Sequence, residues 1–399
     1  MAAAQMIKHR LALIVSHPVQ YYVPLYQQLA QRQDISIKVF FTWHDGSKPV
    51  HDSGFGIPVA WDIPLRQGYE FELVENVASD PGMHHFVGLR NPDLVRRVLN
   101  WNPTAVHITG WAWWSHFQAL RTLAGKGTPI LFRGDSHLLD DSMTGPRWWI
   151  KRIVLKHIYR WPSVFLVTGK ANSDYYEAFG IDQKKLIPCP HSIDCHRFAE
   201  PAAQYEDAAL RWRTELGIAE EQIVVLFAGK FEARKDPIGF MKAVESLKDN
   251  NVVAVMVGGG ELQADVEAIA SARPDLFRVL PFQNQRRMPV VYRLCDLFVL
   301  PSIWGETWGL AVNEALACSR PVLVSDKVGC AAEIVDGSCA YVFSRGGGPS
   351  LFDIMRALTA DRTRLRNMRA AAAEKAGLFD VSVTEAALMN AISGLNPDE

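Results

Sequence analysis

The sequence predicts an α/β protein made of two doubly wound domains, each a parallel sheet with helices on both faces. Three observations carry this. The chain has 399 residues, too many for one ordinary core and suited to two domains of roughly 180 residues. Short continuous Val/Ile/Leu runs alternate with longer amphipathic stretches, the pattern of strands covered on both faces by crossover helices. The whole series occurs twice.

In the first half "LALIVS", "ISIKVFF", "AVHIT", "PILF" and "SVFLVT" read as buried strands, with helical patterns such as "VPLYQQLAQR" between them. In the second half "IVVLFAG", "VVAVMVG", "FRVLPF", "DLFVLPS", "PVLVS" and "AYVF" repeat the theme, with "IGFMKAVESLKD" as a helix. The polar segment "RFAEPAAQYEDAALRWRTELGI" lacks strand character and reads as a linker. The expected organisation is therefore a first domain over 1–190, a linker over 191–214, a second domain over 215–375, and a closing helix and tail over 376–399. Ligands of such sheets gather at the carboxyl ends of the strands. Two such domains facing each other make a cleft, the expected site.

Composition narrows the class. The chain is 48% apolar and 21% charged with net charge −1, which fits a soluble globular protein and argues against a general affinity for nucleic acid. No apolar run spans a bilayer, and the run "LALIV" is too short for a signal-peptide core. The six cysteines form no C-x-x-C pair, so neither a zinc site nor a disulfide framework is indicated. A reducing cytoplasm is the expected location.

The chemistry concentrates in the second half. In "LFAGKFEARKDP" a strand ends at Gly229, and Lys230, Arg234 and Lys235 follow in one short loop: three cations that could hold phosphates, or a solvated basic turn. "VMVGGGELQADV" ends another strand in three glycines, but Gln263 replaces the spaced third glycine of a dinucleotide fingerprint. "DLFVLPSIWGETWGLAVNEALA" reads strand, loop, helix. Glu306 lies in the loop, the helix begins near Gly309, and Glu314 sits inside its first two turns. A helix start with free amides at Thr307 to Leu310 would lie between the two acids and attract an anion such as a diphosphate. Glu314 could accept hydrogen bonds from a ribose diol and Glu306 could meet a sugar beyond the diphosphate. The alternative makes Glu306 a helix-start charge and Glu314 an exposed acid.

"GETWGLAVNEALACSRPVLVSDKVGCAAEIVDG" resembles the signature of the retaining glycosyltransferases of family 4, also called glycosyl transferases group 1, whose fold is GT-B. The likeness extends through "LGIAEEQIVVLFAGKFEARKDP", "VMVGGGEL" and "VYRLCDLFVLPS", is close from about 183 to 345, and is only an echo over 1–180. The resemblance implies two Rossmann-like domains facing across a cleft, with the C-terminal helix returning to the first. It implies that Glu306 lies beside the transferred sugar and Glu314 binds the ribose hydroxyls of a nucleotide-sugar donor. Lys235, with Lys230, would hold the diphosphate, helped by the amides of Trp308, Gly309 and Leu310. Phe282 would lie against the base. Where the family usually has arginine this chain has Lys230, which keeps the charge and loses the bidentate fork; Arg234 could compensate. No Asp-x-Asp pair occurs, in agreement with a metal-free site that uses a UDP- or GDP-linked sugar as co-substrate and no other cofactor.

The first half reads as the acceptor side. Ser16, His17 and Gln20 follow the first strand at a helix start. "VHITGWAWWSHF" brings Trp111 and its neighbours to a strand end, as sugar-stacking rings or as core. "LFRGDSHLLDD" brings Arg133, Asp135 and His137 to another. Asp135 or His137 could move a proton, or form a structural ion pair and a solvated histidine. Segment 147–161 is basic and aromatic, with no acid between Asp141 and Asp174. It suits an anionic membrane surface or a helix buried on one face. The expected activity is retaining transfer of a sugar to a sugar or lipid-linked acceptor in polysaccharide or glycoconjugate synthesis, in the cytoplasm and peripherally at the membrane. The alternatives are a nucleotide-sugar epimerase of the same architecture and a non-catalytic carbohydrate-binding relative.

Overall fold

The computed structural model describes residues 8–52, 54–140 and 145–395. The strands of the first half are β1 (His9–Val15), β2 (Ile35–Phe41), β3 (Val50–Asp52), β4 (Ile57–Val59), β5 (Phe71–Leu73), β6 (Ala105–Thr109), β7 (Ile130–Arg133), β8 (Val164–Val167) and β9 (Leu186–Pro188). Those of the second are β10 (Ile223–Lys230), β11 (Val252–Gly259), β12 (Phe277–Pro281), β13 (Leu297–Leu300), β14 (Val322–Ser325) and β15 (Ala340–Phe343). Seven form one parallel sheet in the order β5-β2-β1-β6-β7-β8-β9, and six form another in the order β12-β11-β10-β13-β14-β15. Leu11 to Ile14 and Val224 to Leu226 are no more than 1% exposed, as their unbroken apolar runs require of strands covered on both faces.

Each sheet winds outward in both directions from its first strand, so the order reverses beside β1 in one and beside β10 in the other. A crevice forms at such a switch point, outside the carboxyl ends of the strands. In the second sheet the register pairs Gly229 with Gly258 and Lys230 with Gly259, which sets a cation beside a glycine edge. A Cβ on Gly258 would fall 1.9 Å from the Gly229 carbonyl oxygen, so the two strand ends approach as closely as they do only because this residue has no side chain.

The chain forms two compact units: residues 1–48, 64–192 and 381–399, and residues 49–63 and 193–380. Helix Val381–Ser393 belongs to the first. Thr384 donates to Pro190 O at 2.9 Å, and Glu385 pairs with Arg32 at 2.8 Å. The sequence reading is corrected in two places. Residues 49–63, placed with the first domain, cluster with the second unit through the antiparallel β3–β4 hairpin, because Phe55 and Trp61 pack around Phe282 at 4.6 and 6.2 Å between ring centres. The stretch read as a linker is two helices, Cys195–Ala199 and Ala202–Glu215. The second is fixed by the buried Arg213, which pairs with Asp296 at 3.4 Å.

Candidate donor and acceptor sites

In the second unit, the loop after β13 carries Glu306 into helix Leu310–Ala317. Gly309 caps that helix with φ of +96°, and a Cβ there would meet Leu300 and Val328 at 2.9 Å, so the turn needs glycine on both counts. Glu306 is 9% exposed. Its Oε2 accepts from Ser302 Oγ at 3.2 Å and is ion-paired with Lys235 Nζ. The loop is held in place: Gly329 donates to Glu306 O at 2.9 Å, and Cys330 to Trp308 O at 3.0 Å.

The expected donor-site residues fall around this loop. Arg234 braces it, donating from Nη1 to Gly305 O at 3.0 Å while its other arm pairs with Glu232 at 2.7 Å. Lys230 leaves the end of β10 and pairs with Asp52 Oδ1 at 2.7 Å, its ammonium 5.1 Å above the Phe55 ring. Asp52 was not singled out in the sequence. The same oxygen accepts the amides of Gly54 and Phe55 at 2.9 and 3.1 Å. Burial raises the Asp52 pKa, but Lys230 and these amides outweigh it and hold the carboxyl below its usual range. The readings of a solvated basic turn and an exposed Glu314 are both corrected. Lys230, Arg234 and Lys235 are each engaged, and Glu314 is 2% exposed with Tyr292 Oη donating to its Oε2 at 2.5 Å. Thr307 is exposed, Leu310 half-buried, and the Trp308 side chain buried, with Nε1 3.3 Å from Asn313 Oδ1. The Trp308 indole is thus part of the core, and only its backbone fits an anion-binding role.

In the first unit a second polar group collects at the carboxyl ends of β7 and β9. Arg133 is 4% exposed, lies 5.6 Å from the Tyr22 ring, donates to Cys189 Sγ at 3.4 Å and stands 3.8 Å from Asp135. Asp135 Oδ1 also lies 3.2 Å from His191 Nε2. Burial works against ionising Asp135, yet His191 and Arg133 together pull its pKa down to about 2. Burial lowers the pKa of His191 itself, so near neutral pH the standing cation beside Asp135 is Arg133. His191 and Tyr22 were absent from the sequence reading.

His17 contacts Ser16 Oγ at 2.9 Å and stacks edge-on with Trp43; burial and the neighbouring His44 lower its pKa to about 4. Gln20 lies in the turn before helix Val23–Gln31. Trp111 is half-buried against the core yet lines a pocket of about 450 Å³ with Asp135 and Ser136. The ring thus packs on the core with one side and borders the pocket with another. His137 Nδ1 accepts the Leu139 amide at 3.2 Å, a local turn contact, and does not line that pocket.

Residues 209–375 match the family model described as glycosyl transferases group 1. Among curated relatives, it is 27% identical over 229 residues to the D-inositol 3-phosphate glycosyltransferase of Xylanimonas cellulosilytica, covering 56% of this chain and 54% of that protein. It is 28% identical over 190 residues to the UDP-Gal:alpha-D-GlcNAc-diphosphoundecaprenol alpha-1,3-galactosyltransferase of Escherichia coli, covering 44% and 48%. The chain thus spans about half the length of the curated relatives it matches. The crystal structure of Anabaena HepE in complex with UDP superposes with a TM-score of 0.71 at 15% identity over 97% of this chain and all of that one. This likeness shows the fold, GT-B with two Rossmann-like α/β units.

Proposed function

We propose that the protein is a retaining, metal-independent glycosyltransferase. It takes a UDP- or GDP-linked sugar and passes the sugar to a sugar or lipid-linked acceptor in polysaccharide or glycoconjugate assembly on the cytoplasmic side of a membrane. One observation carries the reading. Lys230, Arg234, Lys235, Glu306 and the start of helix Leu310–Ala317 gather around the loops that follow β10 and β13, with Glu314 buried inside that helix. Breaking a sugar–phosphate bond leaves a nucleoside diphosphate with added negative charge. Fixed cations and helix amides aimed at that charge lower the barrier in a water-poor site. Glu306 lies beside the sugar and steadies positive charge at the anomeric carbon, and Glu314 takes the ribose diol. Asp135, held as a carboxylate, is the residue of the first unit assigned to accept a hydrogen bond from the acceptor hydroxyl and orient it.

The relatives support the two substrate classes: one is named for a UDP-linked donor and a diphosphoundecaprenol acceptor, and a protein of the same fold was crystallised with UDP. Thermal-shift screening against UDP, GDP, ADP and their sugars tests the reading, since a ligand specific to the folded state raises the melting temperature. One nucleotide is expected to stabilise the protein. Stabilisation by none of them would refute the proposal.

A further inference from the structure

Helix Pro146–Ile158 has apolar side chains on two faces. Leu155 and Ile158 are buried in the first unit, with Trp148 packed against that core. Away from that side, Trp149, Ile150, Ile153 and Val154 are 58, 63, 69 and 47% exposed. At about 100° per residue these four cover an arc of about 140°. A contiguous apolar face of this kind on a protein surface marks an interaction site. The exposed cations Arg152 and Lys156 border one side of the arc, Lys151 lies beyond its other side, and the exposed His157 falls within it at the C-terminal end of the helix. The Arg147 side chain lies outside the described residues. The sequence holds no acid from 142 to 173, although the chain as a whole is close to neutral. Apolar bulk ending in Trp beside a band of cations matches the boundary of an anionic bilayer, where rings and stems enter the acyl edge and ammonium and guanidinium groups meet phosphates.

A further feature links this face to chemistry. The pocket of about 450 Å³ that holds Trp111, Asp135 and Ser136 is also lined by Lys151, Val154 and Tyr159. We infer that helix Pro146–Ile158 docks the protein on anionic membrane and that the adjoining pocket receives the head of an amphiphilic acceptor from the bilayer, with Lys151 facing its phosphate. The docking face stands on the helix itself; the acceptor's route rests on the proposed function.

The test is co-sedimentation of the full chain with phosphatidylcholine vesicles, with and without phosphatidylglycerol, beside the doubly substituted Trp149→Ser/Ile153→Ser. Both positions are exposed, so the variant is expected to melt within a few degrees of the parent. The expected result is binding to anionic vesicles only, release by about 0.5 M salt, and at least tenfold weaker partition of the variant. Equal binding by the folded variant, absence of binding to anionic vesicles, or self-association through this helix in sedimentation velocity would overturn the inference. Nucleotide stabilisation of the same samples separates the two claims. Vesicle binding without it would sink the proposed function alone, and nucleotide binding without vesicle binding would sink the docking face alone.

Discussion

Glu306 and Lys235 form an ion pair with little exposure, 11 and 14% at the side chains, so each sets the other's availability. Glu306→Gln removes the charge proposed to face the anomeric carbon and frees Lys235. Turnover is expected to fall about 10²–10³-fold while affinity for the nucleoside diphosphate holds or rises. Steady-state kinetics beside calorimetry checks this, and unchanged turnover would remove Glu306 from the chemistry. Asp52 exerts the same restraint on Lys230. Asp52→Asn is expected to strengthen diphosphate binding several-fold, about 1 kcal/mol at a partly exposed pair, without altering nucleoside binding. Weaker diphosphate binding would show that Asp52 supports the site rather than competing in it. The residue types at 230, 234, 235, 306 and 314 were legible because they lie in short segments whose spacing reflects a strand–loop–helix turn. Asp52, His191 and Tyr22 were not, because only the tertiary fold brings them to Lys230 and Asp135 from positions distant in sequence.

Among the elements, the turn into helix Leu310–Ala317 is the most constrained. Gly309→Ala would place a Cβ 2.9 Å from two buried side chains at a left-handed φ. A loss of about 2–3 kcal/mol of stability is expected from strain and overlap combined, measurable by urea unfolding; a neutral substitution would mean the turn can relax. Strands such as β10 and β11 were readable because seven and eight apolar or glycine residues in succession fit little else. The β3–β4 hairpin was not, since two three-residue strands carry too little pattern to register. Its place is set by rings meeting Phe282 and by Asn284 donating to Ala60 O at 2.7 Å. The helix Pro146–Ile158 was read correctly as basic and aromatic, but sequence alone left open which face the sheet would bury.

At the scale of the whole molecule, the repeat of the strand series disclosed two sheets, while the exchange of segments 49–63 and 381–393 between halves depended on packing that no local pattern encodes. The first unit also carries a shared pH liability. Burial lowers the pKa of His107 to about 3, with Arg133 adding to it, and of His116 to about 4 against the opposing pull of its contacts at Thr109 and Gly110. Both are depressed below their unfolded value of about 6.5, so the unfolded chain binds more protons between pH 6.5 and 4. The stability they contribute is full above 6.5 and is lost as pH falls through that window, about 1–2 kcal/mol per histidine by pH 5. Melting temperature is therefore expected to drop between pH 7.5 and 5, and to drop less in His116→Gln. The central claim is that the second unit grips a nucleoside diphosphate through Lys235. Isothermal titration of wild type and Lys235→Ala with the preferred diphosphate and with its parent nucleoside tests it directly. At least tenfold loss for the diphosphate with unchanged nucleoside affinity is predicted. Equal loss for both ligands, or none for either, would contradict it.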